Sequence, residues 1–374
     1  MLDKPNFERL RSVLYLEEPQ DRVPLYDLYA DPEVVETLTG ERLAEGPSSV
    51  GEAAIAVRKK KYLRDAEHNA RVLVKFYLKL GYDYVTFSIP TPFPRSNVQL
   101  ANDTAPLRRP KRVWNDERRG VIETREDFIE YVWPEVADVQ ETFLTYYAAF
   151  KRELPEGMEI IPLTPGGVFE NVVWLMGTVP FSRTLYRDPV LAKCMSDRVG
   201  KVLEYICKIA SECDSVGAVT MGDDMGYRSG PMVSPSALRQ YVFPWQRSCA
   251  EAVHRHDKLF ILHSCGNLKV IMDDLINYVR IDAKHSYEDV SYPVTEYKEL
   301  YGSRIAILGG VDMDKLSRMP TDLFTGYVKE VLRACAPGGG YALGCGNSVA
   351  NYIRIENYLT MIEIGKKYGR YPLR

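Results

Sequence analysis

Eight short runs rich in β-branched and aromatic residues recur along the chain, each followed by a stretch able to form a helix, and few folds accept that alternation. They are Val23–Tyr29 (VPLYDLY), Tyr84–Ile89 (YVTFSI), Met158–Leu163 (MEIIPL), Ser215–Met221 (SVGAVTM), Lys258–His263 (KLFILH), Arg280–His285 (RIDAKH), Arg304–Gly309 (RIAILG) and Gly340–Gly344 (GYALG). Strands that alternate with crossover helices lie parallel, and eight such units are the number that closes a barrel. The expected fold class is therefore α/β, a (β/α)8 TIM barrel. Apart from the βα period there is no internal repeat, no low-complexity tract and no second domain boundary, so one domain over 1–374 is expected.

Helical periodicity supports the spacing. In Ser236–His256, Leu238, Val242, Trp245, Cys249 and Val253 recur at three- and four-residue steps behind a Ser234–Pro235 cap and first-turn pair, and Arg354–Lys367 reads as a closing helix. One segment breaks the repeat. Residues 91–134, dense in Pro, Arg and aromatics, follow the second strand without a βα pattern, and the alternation around KRVWNDERRGVIE suggests a hairpin. This insertion is expected to cap one mouth of the barrel.

A net charge of −3 provides no broad attraction for nucleic acid or an anionic membrane, which leaves small molecules and proteins as partners, a second copy of the chain among them. No apolar run reaches spanning length and the first residues lack a signal-peptide core, so the expected location is the cytoplasm. Seven cysteines, an odd number without compact spacing, fit a reducing compartment and mostly buried thiols.

In a parallel barrel the reactive groups stand at the carboxyl ends of the strands, because strand interiors are filled by packing. The fifth run, LFILHSCGN, delivers His263 and Cys265 there before Gly266 turns the chain, and the last run, YALGCGN, delivers Cys345 in the same way. Imidazole and thiolate are preferred ligands of Zn2+. A hydrogen-bonded histidine beside a buried thiol is the competing interpretation of the His-x-Cys pair.

Several blocks resemble the uroporphyrinogen decarboxylase superfamily: ERLRSVLYLEEPQDRVPL near the start, GPMVSPSALRQYVFPWQRSCAEAVHRHDKLFILHSCGNL in the centre, and ELYGSRIAILGGVDMDKL, APGGGYALGCGN and YGRYP in the last third. Within it, the chain is most similar to the corrinoid-dependent methyltransferases, whose zinc ligands are a His-x-Cys pair and a second cysteine some seventy to eighty residues on. The resemblance implies that role for His263, Cys265 and Cys345, the two cysteines being 80 positions apart. The decarboxylases carry an arginine-rich substrate motif near the N-terminus, whereas VPLYDLYADPEVV has no arginine, which argues against a substrate bearing many carboxylates.

A carboxylate at the same rim should complete the site. Glu170 is expected as a further ligand, and Asp223 and Asp224 as catalytic or supporting groups, with His285 as a hydrogen-bonding or acid group. Asp312 and the tyrosines Tyr26, Tyr29, Tyr227 and Tyr287 are expected to line the substrate pocket. Each carboxylate could equally be a helix cap, and each tyrosine half-buried packing. His68, His254 and His256 lie in helical contexts and are expected to be structural or solvated.

The resemblance implies a zinc-dependent methyltransferase acting between a small methylated compound and the cobalt of a corrinoid. A methoxylated aromatic undergoing O-demethylation fits the tyrosines, and transfer from the corrinoid to a thiol is the variant. With no D-x-H-x-x-G motif in the chain, the corrinoid is expected on a separate corrinoid-binding protein. Metal-independent decarboxylation and a non-catalytic barrel with structural zinc are the alternatives from other classes.

Overall fold

The computed structural model describes residues 4–44, 55–107, 109 and 111–373, without the side chains of 55–63. Positions 108 and 110 of the expected insertion, and 1–3, 45–54 and 374 of the expected single domain, lie outside the described residues. In chain order the strands are β1 (Tyr84–Ser88), β2 (Val98–Asn102), β3 (Lys111–Asn115), β4 (Glu159–Leu163), β5 (Ala218–Gly222), β6 (Gly226–Tyr227), β7 (Gly230–Pro231), β8 (Leu259–His263), β9 (Ala283–His285), β10 (Ala306–Leu308) and β11 (Tyr341–Ala342). Seven of them form one parallel, curled sheet in the order β1-β4-β5-β8-β9-β10-β11. Their side chains are buried almost throughout, as a parallel sheet covered by helices requires.

The first expected strand departs from the pattern. Residues 23–29 make one isolated bridge, Leu25 with Leu343, and the flanking Ala30 makes another with Val349, which tie the segment to the β11 end of the sheet. Side chains intercept the ladder on both sides. The Tyr84 hydroxyl accepts from the Asp27 amide at 2.9 Å and donates to the Asp27 carbonyl at 2.5 Å, while the Asp27 carboxylate accepts from the Cys345 amide at 2.7 Å. Pro24, lacking an N–H, removes one more rung.

The helix expected over Ser236–His256 is interrupted. Ser234 caps Pro235–Ala237 as expected, but Leu238–Val242 is a π-helical turn before the α-helix Phe243–His254. Pro244 explains it: a proline within a helix has no N–H to donate and clashes with the carbonyl four residues back, and a wider turn relieves both. The closing helix runs Ile355–Tyr368.

Within 91–134, β2 and β3 pair as an antiparallel hairpin, with Leu100 opposite Val113, followed by the helix Arg125–Glu130 under a Thr124–Asp127 capping box. KRVWN is thus the second arm of the hairpin; the first lies ahead of it rather than in the residues that follow. The hairpin is latched to the carboxyl-end face. Asn351 Nδ2 donates to Asp103 Oδ2 and to the Leu107 carbonyl, both at 2.7 Å, and Arg109 pairs with Asp31 (2.7 Å) and Glu33 (2.9 Å). Among the described residues no helix is long and apolar enough to cross a membrane.

Candidate metal centre at the strand ends

Sheet register brings two histidines together. His263 on β8 is the partner of His285 on β9, and in parallel strands register partners project to the same side. Both rings are buried, and their Nδ1 atoms lie 2.7 Å apart. His285 Nε2–H donates to the Cys345 carbonyl at 3.1 Å, so the Nδ1 of a neutral His285 carries a lone pair and must accept the Nδ1–H of His263. That leaves the Nε2 lone pair of His263 bare. Burial keeps both rings neutral: His263 is pushed down to about 3 and His285 well below its usual value.

The bare nitrogen faces two further electron-pair donors. Asp224 Oδ1 stands 3.5 Å from His263 Nε2 and Cys265 Sγ 3.6 Å from it, and the donor atoms of Asp224, His263 and Cys265 lie within 4.8 Å of one another. The Cys265 amide holds Asp224 Oδ1 at 2.8 Å. Ser286 Oγ (3.4 Å) and Asn347 Nδ2 (3.2 Å) both donate to Cys265 Sγ. Ser286 adopts φ +85°, a left-handed conformation costly for a residue with a Cβ, and that conformation accompanies its contact with the sulfur. With the His263 proton committed to His285, the Cys265 thiol hydrogen faces the other two donors, and burial raises the Asp224 carboxyl above its usual value. Burial and the Asp224 charge push that thiol well above its usual pKa. An oxygen, a nitrogen and a sulfur converging in this way suit a divalent cation that displaces the thiol proton.

The remaining expected site residues divide. Cys345 lies outside this trio among the described residues; its thiol is buried against Asp27, which, with burial, keeps it protonated. Glu170 lies outside it too, in the first turn of the helix Val168–Met176, with its carboxyl raised by burial and by Asp224 and Asp223. Asp223 is engaged as the cap of that helix, accepting from the amides of Val168 (3.0 Å), Phe169 (3.2 Å) and Glu170 (2.9 Å) and from Gln246 Nε2 (2.7 Å). Asp312 caps Met313–Arg318 through the amides of Asp314 and Lys315 and accepts from the Asp289 amide. Tyr26 and Tyr287 are core residues: the first bonds to Thr220 and sets its ring edge against His285, and the second donates to the Lys284 carbonyl. Tyr29 and Tyr227 are exposed at the rim. Away from the site, His254 bonds to Asp282, His68 to the Arg42 carbonyl, and His256 is exposed. All seven cysteines are free thiols.

Sequence reasoning missed five contributors. Asp27, buried and pushed up to about 6, accepts from the Cys345 amide and from the hydroxyls of Tyr82 and Tyr358. Lys284, fully buried and pushed down to about 8, donates to the carbonyls of Ser264, His285 and Ser286 and lies over the rings of Tyr287 and Tyr297. The available signal was an ionisable residue within an expected strand, Asp27 in VPLYDLY and Lys284 in RIDAKH. Gln246, Ser286 and Asn347 carried none.

No curated protein matches the sequence. Among solved structures, the fold is similar to a methyltransferase from Methanosarcina mazei, with TM-score 0.69 and 17% identity over 98% of this chain and 99% of that one. A β-glycosidase from Thermosphaera aggregans gives TM-score 0.45 at 13% identity over 94% and 97% of the two chains. The uroporphyrinogen decarboxylase (URO-D) family model matches residues 123–368, well over half of the sequence, and the chain belongs to that family.

Proposed function

We propose that the protein is a zinc-dependent methyltransferase of this family, moving a methyl group between a small methylated compound and the cobalt of a corrinoid held by a separate protein. The observation that carries this is the convergence of the donor atoms of Asp224, His263 and Cys265 within 4.8 Å of one another. The fold likeness to the Methanosarcina methyltransferase agrees with it. Zn2+ held there supplies Lewis acidity to the heteroatom that loses or gains the methyl group.

The protein's own residues have separable tasks. His263 presents Nε2, kept deprotonated by the relay through His285 to the Cys345 carbonyl. Ser286 and Asn347 stabilise the Cys265 thiolate, and Asp224 supplies a carboxylate where Glu170 had been expected. Cys345 is the fourth donor in this reading, on the family resemblance. The loss of Tyr26 and Tyr287 to the core leaves fewer rings for an aromatic pocket, which favours a second reading of the same site: methyl transfer from the corrinoid to a small thiol.

The test is zinc content of the purified protein and of Cys265→Ser, alongside formation or consumption of methylcobalamin with methoxyaromatics and small thiols. About one zinc per chain, lost in the variant together with activity, is expected. Methyl transfer without metal, or metal-free decarboxylation, would overturn the proposal.

A further inference from the structure

Arg95 is an unpaired cation held in place beside the proposed site. Its guanidinium lies over the Trp174 ring at 4.4 Å, and its Nε is buried without a hydrogen-bond partner. Among the described residues Arg95 makes no ion pair, although the carboxyl of Glu170, on the same helix as Trp174, is close enough to influence its charge. Arg95 is half-buried, and its Nε–H, shut off from water without an acceptor, carries a desolvation cost that a bound anion would relieve.

The position is built rather than incidental. On one side of Arg95, Tyr131 donates its hydroxyl to the Pro94 carbonyl at 2.7 Å. On the other, Asn97 Nδ2 donates to the carbonyls of Trp174 (2.9 Å) and Arg119 (3.0 Å). The Trp174 platform is fixed in turn by Gly166, at φ +79°, where a Cβ would stand 2.6 Å from the indole. Backbone anchors on both sides and a stacking surface below restrict the side chain before any ligand arrives, which lowers the cost of binding.

We propose that Arg95 is the specificity-determining residue of the site and recognises an anionic group on the substrate, a carboxylate above all, through paired N–H donors. This rests on the methyl-transfer reading for what the rest of the substrate is. A planar fork stacked on an aromatic ring is the geometry in which arginine binds a carboxylate through two hydrogen bonds, and one cation suits one anionic group rather than many. The substrate class is therefore a small methylated compound, or a thiol acceptor, bearing a single carboxylate.

The experiment is equilibrium binding by calorimetry to the zinc-loaded protein, without corrinoid, of two probe pairs that differ only in charge: 4-methoxybenzoate against methoxybenzene, and 3-mercaptopropionate against ethanethiol. Wild type should bind the carboxylate member of at least one pair about tenfold or more tightly. Arg95→Gln should lose that preference and Arg95→Lys keep part of it, with circular dichroism and melting temperature of both variants as wild type. If Arg95→Gln is misfolded, Trp174→Leu, which removes the platform, should lower the preference instead. No preference in wild type, or a preference undiminished in the variants, overturns the proposal. A preference that depends on Arg95 in a protein that transfers no methyl group would sink the methyl-transfer reading and leave this one standing.

Discussion

His263 and His285 are register partners on adjacent parallel strands, and their Nδ1 atoms meet at 2.7 Å. Two neutral imidazoles can share that contact only if one donates and the other accepts. The Cys345 carbonyl decides which, because it claims the Nε2 proton of His285. A backbone oxygen beyond β11 thereby sets the protonation of a side chain on β8, and the bare Nε2 of His263 follows from it.

His285→Phe keeps an aromatic ring against Tyr26 but removes both halves of the relay. Groups that orient a ligating histidine are worth about 10–100-fold in metal affinity. Zinc affinity measured by chelator competition should fall by that factor in the variant. An unchanged affinity would show that His263 needs no orienting partner.

The pH dependence of zinc binding should count thiols. With His263 pushed down to about 3, below its ordinary value, its ring is already neutral between pH 6 and 8, so no histidine proton competes there. Cys265 is raised well above its usual value and must release one proton on binding. Affinity should therefore rise about tenfold per pH unit with Cys265 alone, and about a hundredfold if the Cys345 thiol, also raised, joins it. Chelator competition at pH 6, 7 and 8 measures the slope. A bend near 6.5 would mean that His263 titrates as an ordinary histidine and the relay is absent.

Seven of the eight strand runs were legible because buried parallel strands are largely apolar stretches, RIDAKH being the exception, and the strand-end rule then placed His263, Cys265, Cys345 and His285 at the carboxyl ends. The first run misled because its ladder is broken by side-chain hydroxyl and carboxylate groups, a tertiary effect that no local pattern carries. Roles were harder to read than places. Asp223 and Asp224 are neighbours in GDDMG, yet one faces the amides of a helix from another βα unit and the other faces His263. Nothing in the sequence records which way each carboxylate turns.

Those two aspartates should separate on substitution. Asp223→Ala leaves three helix amides and the Gln246 amide without their buried acceptor, and about 3–5 kcal/mol of stability should be lost. Asp224→Ala should change thermal unfolding little and weaken zinc binding. Denaturant titration and chelator competition on both variants check the contrast, and the reverse pattern would reassign the pair.

Asn351 joins Asp103, Leu107 and Arg112 of the insertion to the rim, and its own amide donates to Asp31. Asn351→Ala should release the hairpin while the sheet stays intact. Amide hydrogen exchange should then quicken over 98–115 and remain slow in β5 and β8. Uniformly unchanged exchange would mean that Arg109, through Asp31 and Glu33, holds the hairpin unaided.

Two glycines make a paired test of how the first segment is closed onto the last strand. A Cβ on Gly344 would stand 1.7 Å from the Tyr26 carbonyl oxygen, and the neighbouring backbone is fixed by the bridge between Leu25 and Leu343 and by the hydrogen bond from Cys345 to Asp27. Neither strand can retreat without breaking those contacts. Gly344→Ala should therefore cost more than about 3 kcal/mol, at the severe end of single substitutions, and disturb zinc binding through Cys345 and His285. Gly326, exposed within the helix Thr321–Cys335, has nothing within 4 Å of its added Cβ, so Gly326→Ala should add about 0.5–1 kcal/mol. Denaturant unfolding of the two variants should move in opposite directions, and a tolerated alanine at 344 would mean that the contact between these two segments is looser than a van der Waals fit.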